Sequence, residues 1–410
     1  MKISVFTTLR VFTPFAAGYF LSYLYRVVNA VLAPNLVHDL SIGPSSLGLL
    51  TSTYFIAFAS FQLPLGVLLD RFGPRKTEAF LLLFAGLGAF VFAKAETLAG
   101  LVIGRALIGF GVSACLMAAF KAYVLWFPRE RWPLVNGFQM AAGGLGALAA
   151  TTPVEAALQI TDWRGIFSGL AILTILVAVA VLVVVPEKEG HQQGESLRAQ
   201  LEGVKQVFTS LEFWRAAPLT TMSQAGFLAI QGLWAGPWLR DVAHLERMAV
   251  AKVLFGVAVA MVAGFILLGG LAERLARSGI SVLTTAVTGM GLFMVVQALI
   301  ILGPAELAKP LWVVFGFIGT SGIIAYAALS RRFPTHLSGR VTTGVNLLVF
   351  IAAFAGQWAI GAIIGLWPVS EAGNYSLAGY RAGFSAMLGL QVLTLVWFFV
   401  ASRMILRKKS

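Results

Sequence analysis

A tyrosine pair and an arginine near the amino terminus have the spacing of an anion-binding site. On an α-helix, Tyr23 lies about 40° around from Tyr19, and Arg26 lies about 20° from Tyr19 on the other side. The three side chains therefore share one helical face, and Asn29 follows within one turn. A guanidinium flanked by hydroxyls is a natural partner for a carboxylate or a phosphate. The alternative is that Arg26 pins two helices together or pairs with the fifth apolar segment.

Three further charged side chains lie inside long apolar segments, where a charge is costly and is usually retained for function: Arg105, Lys121 and Glu155. Of the 17 acidic residues, we place only Glu155 clearly within such a segment, so the interior is net positive and favours an anionic or zwitterionic ligand. Arg105 and Glu155 can form a titratable pair that carries a proton, Glu155 can carry it alone, or Arg105 can be a fixed contact between helices. Lys121 lies about 160° around the helix from Arg105 and either contacts the ligand or reaches the membrane surface.

The carboxyl-terminal half offers amides and aromatic rings in place of buried charges. The candidates are Gln231, Trp234, Asn346 and Gln357, of which Asn346 and Gln357 share one helical face. They can orient a ligand whose charge is bound by the other half. Each can instead bond a neighbouring helix.

The composition excludes an ordinary soluble protein. Hydrophobic residues make up 59% of the 410-residue chain and charged residues only 11%, against roughly 25% charged residues in soluble domains. Apolar runs recur at the length that a helix needs to cross a bilayer. No pattern of residues supports enzyme chemistry, and the single Cys115 excludes an intrachain disulfide.

The apolar runs predict an all-α integral membrane protein with twelve transmembrane helices in two pseudo-symmetric six-helix bundles. We expect an amino-terminal bundle at 1–185, a cytoplasmic linker with an amphipathic helix at 186–215, and a carboxyl-terminal bundle at 216–410. The predicted spans are 12–34, 47–69, 78–94, 98–126, 134–158, 164–185, 216–238, 249–271, 280–302, 310–330, 341–366 and 381–402.

The distribution of lysine and arginine predicts the orientation of these spans. With both termini in the cytoplasm, 20 of the 30 basic residues fall on the inside, 7 on the outside and 3 within spans. The net charge of +13 is then a topology signal and does not indicate nucleic-acid binding. We expect a multi-pass protein of the cell (inner) membrane, in contact with the lipid bilayer.

A charged turn occurs once in each half and supports this two-part plan. The segment 66–76 reads Gly-Val-Leu-Leu-Asp-Arg-Phe-Gly-Pro-Arg-Lys, and 269–279 repeats its beginning as Gly-Gly-Leu-Ala-Glu-Arg. The first copy resembles the Gly-x-Leu-x-Asp-Arg-x-Gly-x-Arg-Lys loop of the major facilitator superfamily. The resemblance implies a gate on the cytoplasmic side, where ion pairs and a helix terminus hold the two halves together. The gate residues it implies are Gly66, Asp70, Arg71, Gly73, Arg75, Glu273 and Arg274; the alternative is a basic turn that only sets topology.

Two more segments resemble this superfamily. Residues 105–111, Arg-Ala-Leu-Ile-Gly-Phe-Gly, are similar to its Arg-x-x-x-Gly-x-Gly helix, which implies a hydrogen bond from Arg105 to the backbone of the first span and a part in proton coupling. Residues 23–29 are similar to the first span of its anion:cation symporter branch, where the arginine lies in the transport cavity. The fifth span lacks the Gly-Pro signature of drug antiporters, which disfavours that class.

These features predict a secondary active transporter that works by alternating access, with proton-coupled import of a small organic anion. The alternatives are efflux of amphipathic drug-like compounds, a copper carrier that uses the Met290 and Met294 pair or His244 with Met248, and a non-transporting receptor. We expect no cofactor, no bound metal and no nucleic acid, and we expect a monomer.

Overall fold

The computed structural model describes residues 5–128, 131–187, 197–334, 337–371 and 373–407, and every regular element in these ranges is a helix. The contacts group into two units. One comprises Met1–Ile42 and Thr53–Ser196, and the other comprises Gly43–Ser52 and Leu197–Ser410. The predicted all-α class is thereby confirmed, whereas the predicted domain boundaries remain a prediction.

The first half of the chain supplies the helices of the first unit, except that the first turns of α3 belong to the second unit. In chain order these helices are α1 (Val5–Val27), α2 (Asn29–Leu40), α3 (Pro44–Ser60), α4 (Gln62–Lys94), α5 (Leu98–Gly111), α6 (Cys115–Trp126), α7 (Trp132–Ala149), α8 (Thr152–Ala157) and α9 (Trp163–Val184).

The second half supplies the remaining helices, with one short π-helix and two 3₁₀ turns between them. They are α10 (Leu197–Phe208), α11 (Leu211–Ala229), a π-helix (Ile230–Trp234), α12 (Ala235–Asp241), α13 (Arg247–Arg277), α14 (Val282–Leu302), a 3₁₀ turn (Ala305–Leu307), α15 (Ala308–Ile318), a 3₁₀ turn (Gly319–Ser321), α16 (Gly322–Ser330), α17 (Ser338–Ile364) and α18 (Leu377–Arg407).

All twelve predicted spans fall on helices. Within the described residues, eight helical stretches are long and apolar enough to cross a membrane, and a ninth arises if Thr8–Val27 and Asn29–Leu40, bent by 48°, form one span. The three other predicted spans fall on α3 with the start of α4, on α7 with α8, and on α11 through α12. These helices are shorter, broken or more polar.

The charged turn at 66–76 is a break within the single long helix α4. Gly73 has φ 76° and ψ 164°, a backbone conformation that favours glycine because it has no Cβ. Pro74 then restarts the helix, where its missing N–H costs nothing. Thr77 donates a hydrogen bond across the break to the Leu68 carbonyl (3.2 Å). The break lets one helix serve two predicted spans.

Glycines let α7 approach α1 closely. A Cβ at Gly146 would overlap the backbone carbonyl of Phe20, and one at Gly143 would meet the rings of Tyr19 and Tyr23. At both positions only a glycine lets the two helices come this close. Helix α7 thus packs directly against the face of α1 that carries Tyr19 and Tyr23.

In the second unit, a buried acid fixes the end of α12. The Asp241 carboxylate accepts hydrogen bonds from the Arg240 Nε (2.6 Å), the Tyr380 hydroxyl (2.8 Å) and the Tyr375 backbone N–H (3.2 Å). The predicted amphipathic helix is α10, and its Val207 is buried in a core with Phe213 and Val341. The hydrogen bonds of Asp241 and the packing of Val207 both stabilise the fold.

Candidate functional site

The guanidinium of Arg26 is buried among aromatic rings near the end of α1. Arg26 is 7% exposed. Its Cζ lies 4.4 Å from the ring centroid of Tyr23, 5.7 Å from that of Phe58 and 6.0 Å from that of Tyr54. Aromatic faces stabilise a cation without neutralising its charge. Arg26 therefore carries its positive charge inside the first unit.

The predicted tyrosine face is confirmed by the contacts of Tyr19 and Tyr23. Their rings meet edge to face with centroids 5.2 Å apart, and the Tyr19 hydroxyl donates to the Met140 sulfur at 3.6 Å. Both side chains are buried, as is Asn29 at the start of α2. Tyr19, Tyr23 and Arg26 thus form a single continuous surface on one helix.

Arg105 lies on α5 and is fully buried. Its Nη1 donates a 2.7 Å hydrogen bond to the Tyr25 carbonyl of α1, which confirms the contact implied by the family resemblance. Its Cζ lies 5.2 Å from the centroid of Tyr54, the same ring that Arg26 approaches. The Tyr54 hydroxyl is held in turn by the Ser22 carbonyl (3.1 Å). Tyr54 therefore lies beside both guanidiniums.

The structure does not bring Arg105 and Glu155 together as a pair. Arg105 is bound to the backbone of α1, whereas Glu155 is buried in the short helix α8. Lys121 is half-buried on α6. No ion pair between Arg105 and Glu155 therefore supports their predicted joint role in carrying a proton.

The prediction that Glu155 is the one acid clearly within an apolar segment is wrong, because Glu78 is fully buried on α4. By its position in the sequence, Glu78 falls at the very edge of the third span, next to the basic turn. The sequence nevertheless carries a signal: Glu78 continues a stripe of fully buried positions at helical spacing, formed by Leu82, Ala85, Ala89 and Phe92. A carboxyl group on the apolar stripe of a helix marks a functional candidate.

In the second unit, two of the predicted binding residues bond neighbouring backbone. The Trp234 indole donates to the Gln357 carbonyl (2.9 Å), and the Gln357 amide donates to the Ala229 carbonyl (3.1 Å). Gln231 lies in the π-helix and contacts the Met261 sulfur (3.8 Å), while Asn346 is half-buried on α17. Trp234 and Gln357 thus bind neighbouring helices, which is the alternative to ligand binding given above.

Of the predicted gate residues, Arg75 makes the clearest contacts. Its Nε donates to the Leu182 carbonyl (2.9 Å), and its Nη1 lies 3.6 Å from Glu187, which also pairs with Lys76 (2.6 Å). Gly66 and Arg71 are exposed, and the Asp70 side chain lies outside the described residues. In the second copy, Glu273 pairs with Arg277 one turn later, and Arg274 is exposed.

The Glu187 pairs make a small, pH-dependent contribution to stability. The hydrogen bond from Lys76, its charge and that of Arg75 lower the pKa of Glu187 below its usual value. A lowered carboxyl pKa stabilises the fold above the unfolded pKa, about 4.3, and this contribution is lost as the pH falls through the folded pKa. We expect Glu187→Gln to lower the melting temperature slightly at pH 7 and to have no effect near pH 3. A Gln variant that melts like the wild type at pH 7 would contradict this.

Comparisons with known proteins agree with this architecture. The family model of the Major Facilitator Superfamily matches residues 15–357. A hexuronate transporter of Bacillus subtilis is 24% identical over 404 residues, which cover 91% of each chain. A probable sulfoacetate transporter of Cupriavidus necator is 27% identical over 157 residues, so the match spans 38% of this chain and only 36% of that relative. A bacterial homologue of the human lysosomal transporter Spinster, solved in an inward-facing and occupied conformation, superimposes with a TM-score of 0.80 at 16% identity over 99% of each chain.

Proposed function

Because this chain belongs to the major facilitator superfamily, a family of multi-pass membrane transporters and not of enzymes, we propose that it carries a small organic anion. Transport is coupled to protons and proceeds by alternating access across the cell (inner) membrane, with both termini in the cytoplasm. The relatives named as hexuronate and sulfoacetate transporters carry anions of this class. Carboxylates and sulfonates of this size are the substrates to test first.

The observation that supports an anionic cargo best is the buried pair of guanidiniums beside Tyr54. Arg26 and Arg105 approach the same ring, at 6.0 Å and 5.2 Å from its centroid. Arg105 already donates to the Tyr25 carbonyl, so its role is to position α1. Arg26 is stacked on aromatic rings and provides the planar fork that binds a carboxylate with two hydrogen bonds.

The residues around Arg26 have distinct roles in this proposal. The hydroxyls of Tyr19 and Tyr23 and the amide of Asn29 orient the oxygens of the cargo, and Lys121 adds charge on α6. We assign no cargo contact to Trp234 and Gln357, whose side chains bind backbone carbonyls.

Thermal stability in the presence of candidate cargo tests the proposal. A ligand that binds only the folded protein raises its stability by RT ln(1 + [L]/Kd), which is roughly 2.7 kcal/mol at 100 times the Kd. We expect glucuronate or sulfoacetate at millimolar concentration to raise the melting temperature by several degrees, and matched organic cations to leave it unchanged. In proteoliposomes, the stabilising anion is expected to accumulate when the pH outside is lower than inside. Stabilisation by lipophilic cations or copper alone would overturn the proposal.

A further inference from the structure

A carboxyl group is buried where α1, α4 and α6 meet. The Glu78 carboxyl packs directly on Gly18 of α1, so that a Cβ there would overlap its Oε1. The Cys115 thiol of α6, a weak donor, faces the same carboxyl. Apart from this thiol, neither carboxyl oxygen of Glu78 reaches a hydrogen-bond partner among the described residues. Burying an ionised carboxylate without strong donors costs far more than burying the neutral acid, so Glu78 holds a proton in this arrangement.

Helices α6 and α1 bring the titratable groups nearest to Glu78. From α6, the Cys115 thiol and the Tyr123 hydroxyl face it, and Tyr123 donates to Gln139 (2.7 Å). From α1, the Arg26 guanidinium interacts electrostatically with the same Cys115 thiol. Arg26 follows Gly18 by about two turns of α1, roughly 12 Å along the helix axis, and a charge on Glu78 acts on it through the apolar interior.

Three other charged groups on α4 and its neighbours make contacts elsewhere. On α4 itself, Lys76 pairs with Glu187 (2.6 Å). On α5, Arg105 is bonded to the Tyr25 carbonyl, and on α9, Arg164 donates to the carbonyls of Ala93 and Ala95 at the far end of α4. Arg26 lies on α1, the helix against which Glu78 packs, and an ionised Glu78 opposes its charge.

We propose that Glu78 is the proton-binding residue of this transporter and that its charge controls the affinity of Arg26 for the cargo anion. The inference rests on the proposed transport of an anion. When Glu78 binds a proton it is neutral, and Arg26 attracts the anion fully. When the proton leaves, the negative charge of the carboxylate opposes the attraction of Arg26 for the anion. One proton and one anion consequently bind together, which is the condition for symport.

Anion binding measured against pH tests this linkage. With glucuronate and sulfoacetate as probes, we expect the Kd of the purified wild type to rise roughly tenfold over the pH range in which Glu78 ionises. In Glu78→Gln, which mimics the neutral acid, binding should stay tight and independent of pH. In proteoliposomes, this variant should still exchange anion for anion but should no longer accumulate it in response to a pH gradient. The exposed Glu306→Gln is the matched control and should behave as wild type.

Three outcomes distinguish failure of the proposed function from failure of the inference alone. If the wild type binds neither anion, the proposed function fails and the inference fails with it. If the wild type binds an anion and Glu78→Gln keeps the same pH dependence, only the inference is overturned. The inference is likewise overturned if Glu155→Gln, but not Glu78→Gln, removes the pH dependence.

A second variant covers the case in which Glu78→Gln does not fold. Cys115→Ser keeps the shape of the side chain and offers a stronger hydrogen-bond donor, which stabilises the ionised carboxylate. We expect its pH midpoint for anion binding to move to lower pH. A merely structural Glu78 would leave that midpoint unmoved, and such a result would overturn the inference.

Discussion

Replacement of Arg26 by alanine should lower the kcat/KM of anion uptake by roughly 10- to 100-fold, since a charge-assisted hydrogen bond contributes about 1.5–3 kcal/mol. The guanidinium is buried against Tyr23, Tyr54 and Phe58, so its removal takes away the charge and leaves a cavity. The loss is measured as initial uptake of labelled glucuronate or sulfoacetate into proteoliposomes. It should be accompanied by loss of the stabilisation that the anion gives to the wild type.

Two further variants separate the charge from the packing. Arg26→Met fills a similar volume without charge and should be stable but inactive, whereas Arg26→Lys keeps the charge and loses the planar fork, so its uptake should be intermediate. Lys94→Ala removes one positive charge from an exposed position on α4 and is the control. A stable Arg26→Met variant with uptake within about threefold of wild type would contradict the assignment of Arg26 to the anion.

The second large effect is expected at Gly146, where α7 crosses α1. An added methyl group overlaps the Phe20 carbonyl, a backbone atom that cannot turn aside. Overpacking of this kind typically costs about 1–3 kcal/mol, so Gly146→Ala should melt several degrees below wild type and Gly146→Leu should accumulate poorly. The measurement is a fluorescence-detected melting curve of the purified variants.

Gly137 on the same helix is the matched control for this substitution. It is exposed, and a Cβ there meets nothing within 4 Å. Alanine is favoured over glycine in a helix by about 1 kcal/mol, so Gly137→Ala should melt at or slightly above the wild-type temperature. Equal melting temperatures for Gly137→Ala and Gly146→Ala would show that the close contact of α7 with α1 is unimportant for stability.

The anion-binding face can be predicted from the sequence because it depends on one helix alone. Tyr19, Tyr23 and Arg26 have helical spacing, and any helix in that segment places them together. The contact of Arg105 with Tyr25 follows from family resemblance, since nothing in the spacing of the two segments links α5 to α1. The role of Tyr54 between the two arginines is not predictable in this way, because it depends on how α3 packs against both helices.

Two features differ from the sequence prediction for opposite reasons. One is the burial of Glu78, and the other is the binding of Trp234 and Gln357 to helix backbone. Glu78 resembles part of the charged turn because its neighbours Arg75 and Lys76 are basic, although the buried stripe of α4 includes its position. Trp234 and Gln357 have the pattern of binding residues because they are polar in an apolar segment. Their partners are backbone carbonyls exposed where helices meet or change pitch, and the sequence pattern does not reveal those carbonyls.

The single cysteine has a practical consequence for measuring motion in this protein. Cys115 is the only thiol in the chain and is fully buried, so thiol-directed probes have no exposed native target. Cysteines introduced in pairs, one in each unit, can therefore carry spin labels or fluorophores in an otherwise native sequence. Distances between such labels, recorded with and without glucuronate or sulfoacetate at several pH values, would follow the transport cycle directly.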